Sequence, residues 1–311
     1  MRTLFVLPLI LAVNTACSAA QQPALTPASE LTPNVAAAAP EDVAQTEQAG
    51  EWWTRKATCP DGSELKGAAP PASDAVWCER GGQPHGPKTT FHESGRKAAS
   101  HNFYRGKREG RAKVWHDSGV LAEEGSYRDD QRDGRWIEYH PNGAPKLEVG
   151  YRRGKESGLM KRFSENGARV EETEYREGEK HGVSRAFHEN GKLREETEYV
   201  AGKKHGFHRG YDANARKQIE GKYAENEQVG VWRSFRPEGK VLEELRYVAG
   251  KKNGPTTRWH ENGVKELEGS YENDEKSGTF NYYSVEAELT KTEEYRSGRL
   301  VKSKKHPQPK R

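Results

Sequence analysis

The chain has 311 residues, of which 51 are lysine or arginine and 47 are aspartate or glutamate, and its formal net charge is +4. The two signs are interleaved along the chain, whereas nucleic-acid-binding proteins concentrate positive charge in one patch. The composition therefore argues against nucleic acid as a partner. Aromatic residues make up only 9% of the chain, so their positions are informative.

Residues 1–20 have the features of a secretory signal. A basic residue precedes an apolar run over residues 4–13, and this run is too short to span a membrane as a mature helix. The placement of Cys17 resembles the cleavage box of bacterial lipoproteins, in which the cysteine receives lipid and becomes the N-terminus; ordinary cleavage after Ala20 is the alternative. We therefore expect an exported lipoprotein, anchored through Cys17 in the bacterial cell envelope, on its periplasmic side or at the cell surface.

A linker and a small cap are predicted after the signal. Residues 18–50 are rich in alanine and proline and contain almost nothing to bury, so they are expected to be a disordered tether. Residues 51–85 contain Cys59 and Cys78, the remaining pair of cysteines if Cys17 carries lipid. We expect a disulfide between them to staple an N-terminal cap, because a repeat array needs a covered edge.

Residues 86–301 repeat with a period of 24. We count positions from an anchor glycine at position 0, and an aromatic residue follows at positions 5 and 17 in all nine repeats. A fixed short period of this kind indicates a repeat array. The anchors are Gly86, Gly110, Gly134, Gly158, Gly182, Gly206, Gly230, Gly254 and Gly278. Position 17 is occupied by Phe103, Tyr127, Tyr151, Tyr175, Tyr199, Tyr223, Tyr247, Tyr271 and Tyr295.

Two turn signals divide each repeat. Glycine occupies position 9 in most repeats, often as Asn-Gly, and only Gly, Asn or Asp occupies position 20. These residues suit tight β-turns, and the spacing leaves room for two strands of about six to eight residues but not for a helix. We predict an all-β fold, an elongated antiparallel β-hairpin repeat array of about nine 24-residue repeats in a single-layer twisted sheet of about eighteen strands. A basic tail is expected at residues 302–311.

Large side chains also occur at position 2, as Trp136 does in the repeat that has Tyr139 at position 5. A regular strand projects these two positions to opposite faces, because their separation is odd. Either a β-bulge intervenes or both faces of the sheet are partly apolar, and the sequence is compatible with both.

Histidine recurs at position 6 and glutamate at position 14. Equivalent side chains in neighbouring repeats start about 9.6 Å apart, too far to converge on one metal ion. A one-layer sheet also lacks the shared cleft that a catalytic carboxylate pair needs, and the interleaved lysines favour cross-strand ion pairs. We therefore expect no enzyme activity, no metal and no cofactor. The residues are His92, His116, His140, His188 and His260, and Glu124, Glu148, Glu172, Glu196, Glu220, Glu244 and Glu268.

The repeat reads approximately Tyr-x-x-Gly-Lys-x-x-Gly, then an aromatic residue and Asn-Gly-Lys. Residues 175–182 follow it with Glu179 in place of the lysine, and Phe187 and residues 190–192 complete the unit. This pattern resembles the MORN repeat, in particular the bacterial variant of the YwqK-type antitoxin family. The resemblance implies a β-hairpin repeat fold and protein–protein scaffolding, in some members contact with membrane lipids, and for the YwqK type a toxin–antitoxin pair.

We predict a non-enzymatic scaffold displayed on the cell envelope that binds an envelope protein or a toxin and is held at the membrane by its N-terminal lipid. The candidate partner-binding surface is the row at position 5, because aromatic rings give large contact area at low entropic cost. Its residues are Trp115, Tyr139, Phe163, Phe187, Tyr211, Phe235, Trp259 and Tyr283. Two alternatives are an antitoxin or immunity protein, which a neighbouring toxin gene would favour, and a membrane-lipid recognition module, which a basic face would favour.

Overall fold

A computed structural model describes residue 54 and residues 58–307, which contain 23 β-strands in one antiparallel sheet and no α-helix. The signal, Cys17, the tether, residues 51–53 and 55–57 and residues 308–311 lie outside the described residues. Within the described part, no helix is long and apolar enough to cross a membrane. The predicted all-β hairpin fold is confirmed.

The strands follow one another through the sheet in chain order. Their bounds are β1 Glu64–Gly67, β2 Ala75–Arg80, β3 Gln83–Phe91, β4 Lys97–Tyr104, β5 Lys107–Trp115, β6 Leu121–Arg128, β7 Gln131–Arg132, β8 Gly134–Tyr139, β9 Pro145–Arg152, β10 Lys155–Glu156, β11 Gly158–Phe163, β12 Arg169–Arg176, β13 Glu179–Phe187, β14 Leu193–Val200, β15 Lys203–Tyr211, β16 Lys217–Ala224, β17 Glu227–Phe235, β18 Val241–Val248, β19 Lys251–Trp259, β20 Lys265–Glu272, β21 Glu275–Tyr283, β22 Leu289–Arg296 and β23 Arg299–Lys305. β7 and β8 are two parts of one interrupted strand, as are β10 and β11. These interruptions and the flanking strands β1, β2 and β23 raise the number above that expected.

The two turns of each repeat use backbone conformations that the sequence signals favour. At position 20 and at the residue before it φ is positive, as in Ala201 (48°) and Gly202 (77°), which is the geometry of a type I′ hairpin turn. Position 9 also has positive φ. Ala215 and Ala287, which replace glycine there in two repeats, keep this conformation with φ of 65° and 67°.

The anchor glycines lie where the strand pairing changes register. Thr173 opposes Ser184, whereas Tyr175 opposes Lys180. One residue separates the first two and three separate their partners, so the strand that contains the anchor has two additional residues there. All nine anchors have positive φ, a conformation that residues with a side chain adopt only at a cost in free energy. The 24-residue period of glycine is therefore the period of a backbone bulge.

The two faces of the sheet carry different side chains. Residues paired across antiparallel strands project to the same face, so the pair Trp136 and Val149 marks one face and the pair Lys161 and Glu172 marks the other. We call the first the tyrosine face, because position 17 lies on it. The second is the glutamate face, because it carries position 14.

The aromatic rings at position 5 lie on the glutamate face. The hydroxyls of Tyr139 and Tyr283 donate to carboxylate oxygens of Glu124 and Glu268 at 2.7 and 2.6 Å. A register shift occurs beside each ring, as at Phe163. The extra residue of this shift lies on the partner strand, so positions 2 and 5 remain on opposite faces. Of the two alternatives compatible with the sequence, the second therefore holds: both faces are partly apolar.

A single file of residues from positions 2 and 15, the buried ladder, forms the core on the tyrosine face. Its large members Trp136, Met160, Trp232 and Phe280 are at most 4% exposed. Tyrosines of position 17 flank these rings, as Tyr127 does in T-shaped contact 4.9 Å from Trp136. In chain order the ladder comprises Ala112, Gly125, Trp136, Val149, Met160, Thr173, Ser184, Thr197, His208, Gly221, Trp232, Leu245, Thr256, Gly269, Phe280 and Glu293.

The segment before the repeats adds two strands to the first edge of the sheet. β1 pairs with β2, and β2 pairs with the first strand of the repeats. Cys59 and Cys78 form a disulfide, and Val76 and Cys78 are at most 1% exposed. The anchor Gly86 packs against Pro60 of this segment. The segment therefore covers the first repeat.

The last strand continues beyond residue 301, where the repeat register predicts the basic tail to begin. β23 pairs with β22, so Lys302, Lys304 and Lys305 belong to the sheet. Main-chain hydrogen bonds to β22 support this pairing although the aromatic pattern has ended. All seven residues of β23 are exposed, and lysines suit such an edge because they repel a like-charged edge.

Candidate binding surfaces

The predicted row of aromatic residues at position 5 is half-buried along its whole length. Its rings join consecutive repeats, because Arg169 lies 5.4 Å from the ring centre of Phe187 and Lys217 lies 5.3 Å from that of Phe235. Such cation–π contacts contribute about 0.5–1 kcal/mol at accessible sites. The row therefore stabilises the array, while part of each ring is accessible on the glutamate face.

Four of the five histidines at position 6 link a repeat to the next. The Nε2 atoms of His92, His140, His188 and His260 lie 2.9, 3.0, 2.9 and 2.9 Å from the carbonyl oxygen at position 5 of the following repeat. Arg236 stands in place of a histidine and makes the same link. Residues 54 and 58–307 contain no cluster of three or more His, Cys, Asp or Glu side chains able to hold a metal ion. This linking role was not predicted from the sequence, although the recurrence of histidine directly after the aromatic residue signals it.

All seven glutamates at position 14 are ion-paired on the glutamate face. Glu196 lies between two arginines, 2.8 Å from Arg185 Nε and 3.1 Å from Arg209 Nη1. A hydrogen bond from Lys217 lowers the pKa of the Glu220 carboxyl. Partly exposed pairs contribute only about 0–1 kcal/mol each, so this row fixes the charge pattern more than the stability.

A second row of accessible apolar side chains lies on the glutamate face, at position 1. Leu159, Phe207 and Val231 are 46%, 44% and 41% exposed, and Val183 and Pro255 occupy the equivalent positions in the intervening and following repeats. We call these five residues the apolar row. The apolar row was not predicted from the sequence, because the residue after the anchor varies in type and shows no period.

The charges beside the apolar row change sign along its length. Position 16 pairs with position 1, and it is Glu174 and Glu198 in two repeats and Lys222 and Arg246 in the next two. Lys222 Nζ lies 4.4 Å from the ring centre of Phe207. The row is therefore an accessible apolar strip with an acidic and a basic half.

A polar stretch interrupts the buried ladder at its centre. Thr173 Oγ1 lies 2.8 Å from Ser184 Oγ, and Thr197 Oγ1 lies 2.9 Å from His208 Nδ1. Ser184 occupies a position that is tryptophan, methionine or phenylalanine in four other repeats, and a recess of about 250 Å³ opens beside it. Burial lowers the pKa of His208, which favours the neutral ring. These groups bond to one another, as buried polar groups must, and we assign them to the core.

The chain forms a one-layer antiparallel sheet of 24-residue hairpins. The buried ladder packs on one face and ion pairs lie on the other, and these features define a β-hairpin repeat protein. Five segments match the family model described as MORN repeat variant, at residues 108–129, 132–152, 180–201, 228–249 and 252–273. The resemblance to this repeat is therefore confirmed for these five segments. A comparison with curated proteins finds no match.

Solved structures similar to this chain include the crystal structure of TcdB2-TccC3-Cdc42, with 10% identity, a TM-score of 0.19, and coverage of 75% of this chain and 17% of that one. The Tc holotoxin pore of Photorhabdus luminescens has 10% identity and a TM-score of 0.18 over 78% of this chain and 17% of that one. This chain thus spans less than a fifth of these chains. Similarity at this level carries no argument about function.

Proposed function

We propose that this protein is a non-enzymatic scaffold that binds another protein on its glutamate face, with the apolar row at the centre of the contact. The observation that carries the proposal is the accessibility of Leu159, Phe207 and Val231, in the fourth, sixth and seventh of the nine repeats. Accessible apolar groups gathered in one place and rimmed by charges are typical of interaction sites. The half-buried aromatic row at position 5 lies on the same face and adds contact area beside it.

The charges select the partner. One half of the apolar row is flanked by Glu174 and Glu198, and the other half by Lys222 and Arg246. A complementary partner surface therefore presents apolar side chains, with basic groups at one end and acidic groups at the other. Such complementarity mainly sets orientation and association rate, and the apolar groups supply affinity. The row crosses five repeats, so the contact extends over roughly 38 Å at about 9.6 Å per hairpin.

A double substitution tests this surface. We expect Phe207→Ser with Val231→Ser to weaken partner binding at least tenfold, because each buried apolar side chain contributes about 1.5–3 kcal/mol. The control is Val200→Ser with Val248→Ser, which removes two valines that are 45% and 52% exposed at the hairpin turns. Proteins captured from an envelope extract are compared for the wild type and both variants, and the affinity of a retained partner is then measured by titration.

The outcome decides between this proposal and the alternatives. Capture of the same proteins by the wild type and by the Phe207→Ser, Val231→Ser variant would refute the apolar row as the centre of the contact. A captured partner whose toxicity this protein suppresses would identify the scaffold as an immunity protein of the YwqK type. Salt-sensitive binding to anionic vesicles, with no protein partner captured, would instead support the lipid-recognition function.

We further propose that the scaffold is exported and anchored through lipid at Cys17, on the basis of the apolar run at residues 4–13 and the small residues after it. Replacing Cys17 by serine is expected to move the protein from the membrane to the soluble fraction, because several acyl chains hold a protein at a membrane almost permanently. Wild-type protein found in the soluble fraction with Gln21 as its first residue would show cleavage after Ala20 instead.

A further inference from the structure

β23 is a sheet edge with a strong positive charge. Its seven residues include Arg299, Lys302, Lys304 and Lys305, and all seven are exposed. In the described residues it pairs only with β22. A strand with an open edge presents main-chain donors and acceptors to which another extended segment can bind.

The strand pairing puts Lys304 in the place that an arginine at position 3 takes on the glutamate face. Within the array, position 3 pairs with glutamates at position 14 on both sides, as Arg209 does with Glu196 and Glu220. Lys304 pairs in the same way with Thr292 of position 14, and its other side faces the open edge. A carboxylate on that side would continue the ion-pair row of the glutamate face.

Lys302 has an equivalent place two residues earlier on the strand. It pairs with Glu294, and because it stands two residues before Lys304 it projects to the same face, in the place that position 1 takes relative to position 3. Inside the array the following strand supplies acidic residues opposite positions 3 and 1, as β14 supplies Glu196 opposite Arg185 and Glu198 opposite Val183. A strand of the type of β14 would thus place one carboxylate opposite Lys304 and one opposite Lys302.

We propose that β23 binds an extended acidic segment of another protein as an additional antiparallel strand. Recognition combines main-chain hydrogen bonds with two cross-strand ion pairs on the glutamate face, each of a kind that contributes about 0.2–1 kcal/mol. A second copy of β23 is excluded as the occupant by charge, because it would place lysines opposite lysines. This site is separate from the apolar row and does not rest on the scaffold function proposed above.

The main-chain direction of β23 provides a selective variant. The His306 amide donates to Thr290 O at 2.8 Å, and residues along a strand alternate in the direction of their amides. The amides of Lys304 and Lys302 therefore point toward β22, and that of Ser303 points to the open edge. Proline at position 303 removes one outward donor and keeps the pairing with β22, as proline on an edge strand does.

The probe is a fluorescently labelled peptide with the sequence of β14, residues 193–200, and its binding to the full-length protein is measured by fluorescence anisotropy. We expect the wild type to bind it, and both Ser303→Pro and the pair Lys302→Glu with Lys304→Glu to weaken binding at least tenfold. The control pair Lys192→Glu with Lys251→Glu changes the net charge by the same amount at exposed sites away from the edge. This variant is expected to bind the peptide as the wild type does.

Three results would overturn the proposal. The first is unchanged binding by Ser303→Pro in protein whose circular dichroism matches that of the wild type; should this variant fail to fold, unchanged binding by the double lysine variant has the same force. The second is equal binding of a peptide in which the residues equivalent to Glu196 and Glu198 are lysine. The third is self-association of the wild type in sedimentation velocity that Ser303→Pro abolishes, which would assign the edge to a second copy.

Discussion

Replacing Trp232 by alanine is expected to lower the free energy of unfolding by about 3–5 kcal/mol, the range for truncating a large buried aromatic side chain. The indole is 4% exposed and lies in T-shaped contact with Tyr223 and Tyr247, at centroid distances of 5.0 and 6.2 Å. Its Nε1 donates to Lys222 O at 3.2 Å. A one-layer sheet has no second layer whose side chains could fill the cavity. The lost packing free energy is therefore that of the contacts between repeats. Chemical denaturation followed by circular dichroism measures it.

A double-mutant cycle with Gly221 separates packing from other effects. A Cβ atom at Gly221 would lie 2.2 Å from Trp232 Cδ2, so Gly221→Ala is expected to cost about 1–3 kcal/mol through overpacking. With Trp232 already replaced by alanine the clash is gone, and the second substitution should be nearly neutral. Additive losses in the double variant would show that glycine is needed there for another reason. Gly125 beside Trp136 and Gly269 beside Phe280 repeat the same arrangement.

The second large effect is expected at the first anchor glycine. At Gly86 φ is +107°, and a Cβ atom would lie 2.6 Å from Pro60 Cδ and 3.1 Å from Cys78 Cβ. Gly86→Ala therefore combines backbone strain of about 1–2 kcal/mol with overpacking of about 1–3 kcal/mol. We expect it to loosen the disulfide-bonded cap and to lower the denaturation midpoint clearly.

The matched control is Gly230→Ala, at the same position of another repeat. There φ is +69° and nothing lies within 4 Å of the place that a Cβ atom would take, so only the backbone cost of about 1–2 kcal/mol is expected. Ala215 and Ala287 already occur at φ of 65° and 67° in this chain, which indicates that alanine is accommodated in this conformation. Equal losses for Gly86→Ala and Gly230→Ala in the same denaturation assay would contradict the steric argument at the cap.

The features that the sequence predicted correctly are those that recur with its period. The two turns of each repeat and the strand order follow from residues that return every 24 positions. The position 14 glutamates are ion-paired as predicted, but Glu172 and Glu268 pair within their own strands and not across strands. Turn chemistry is local, because Gly, Asn and Asp adopt positive φ whatever surrounds them. The last strand ran past the expected boundary at residue 301, since main-chain pairing with β22 does not need the side chains of the repeat.

The accessible apolar surface, which the sequence did not reveal, has no period of its own. The apolar row joins leucine, valine, phenylalanine and proline, which share only their place after the anchor. The predicted aromatic row is periodic, yet its rings are half-buried between repeats, because periodic residues are the ones that meet their counterparts in the next repeat. Its role in binding is still a prediction.

By itself the sequence determined the architecture of the repeats, because a 24-residue period with two left-handed turn positions permits only a hairpin meander. Only the tertiary structure decided which side chains each face carries, how far each is exposed and what the histidines bind. Bulges beside the anchors and beside the position 5 rings shift the pairing, so the neighbours of a side chain across strands do not follow from its place in the chain. Exposure depends on those neighbours, and the accessible surface of this protein was therefore visible only once the strands were paired.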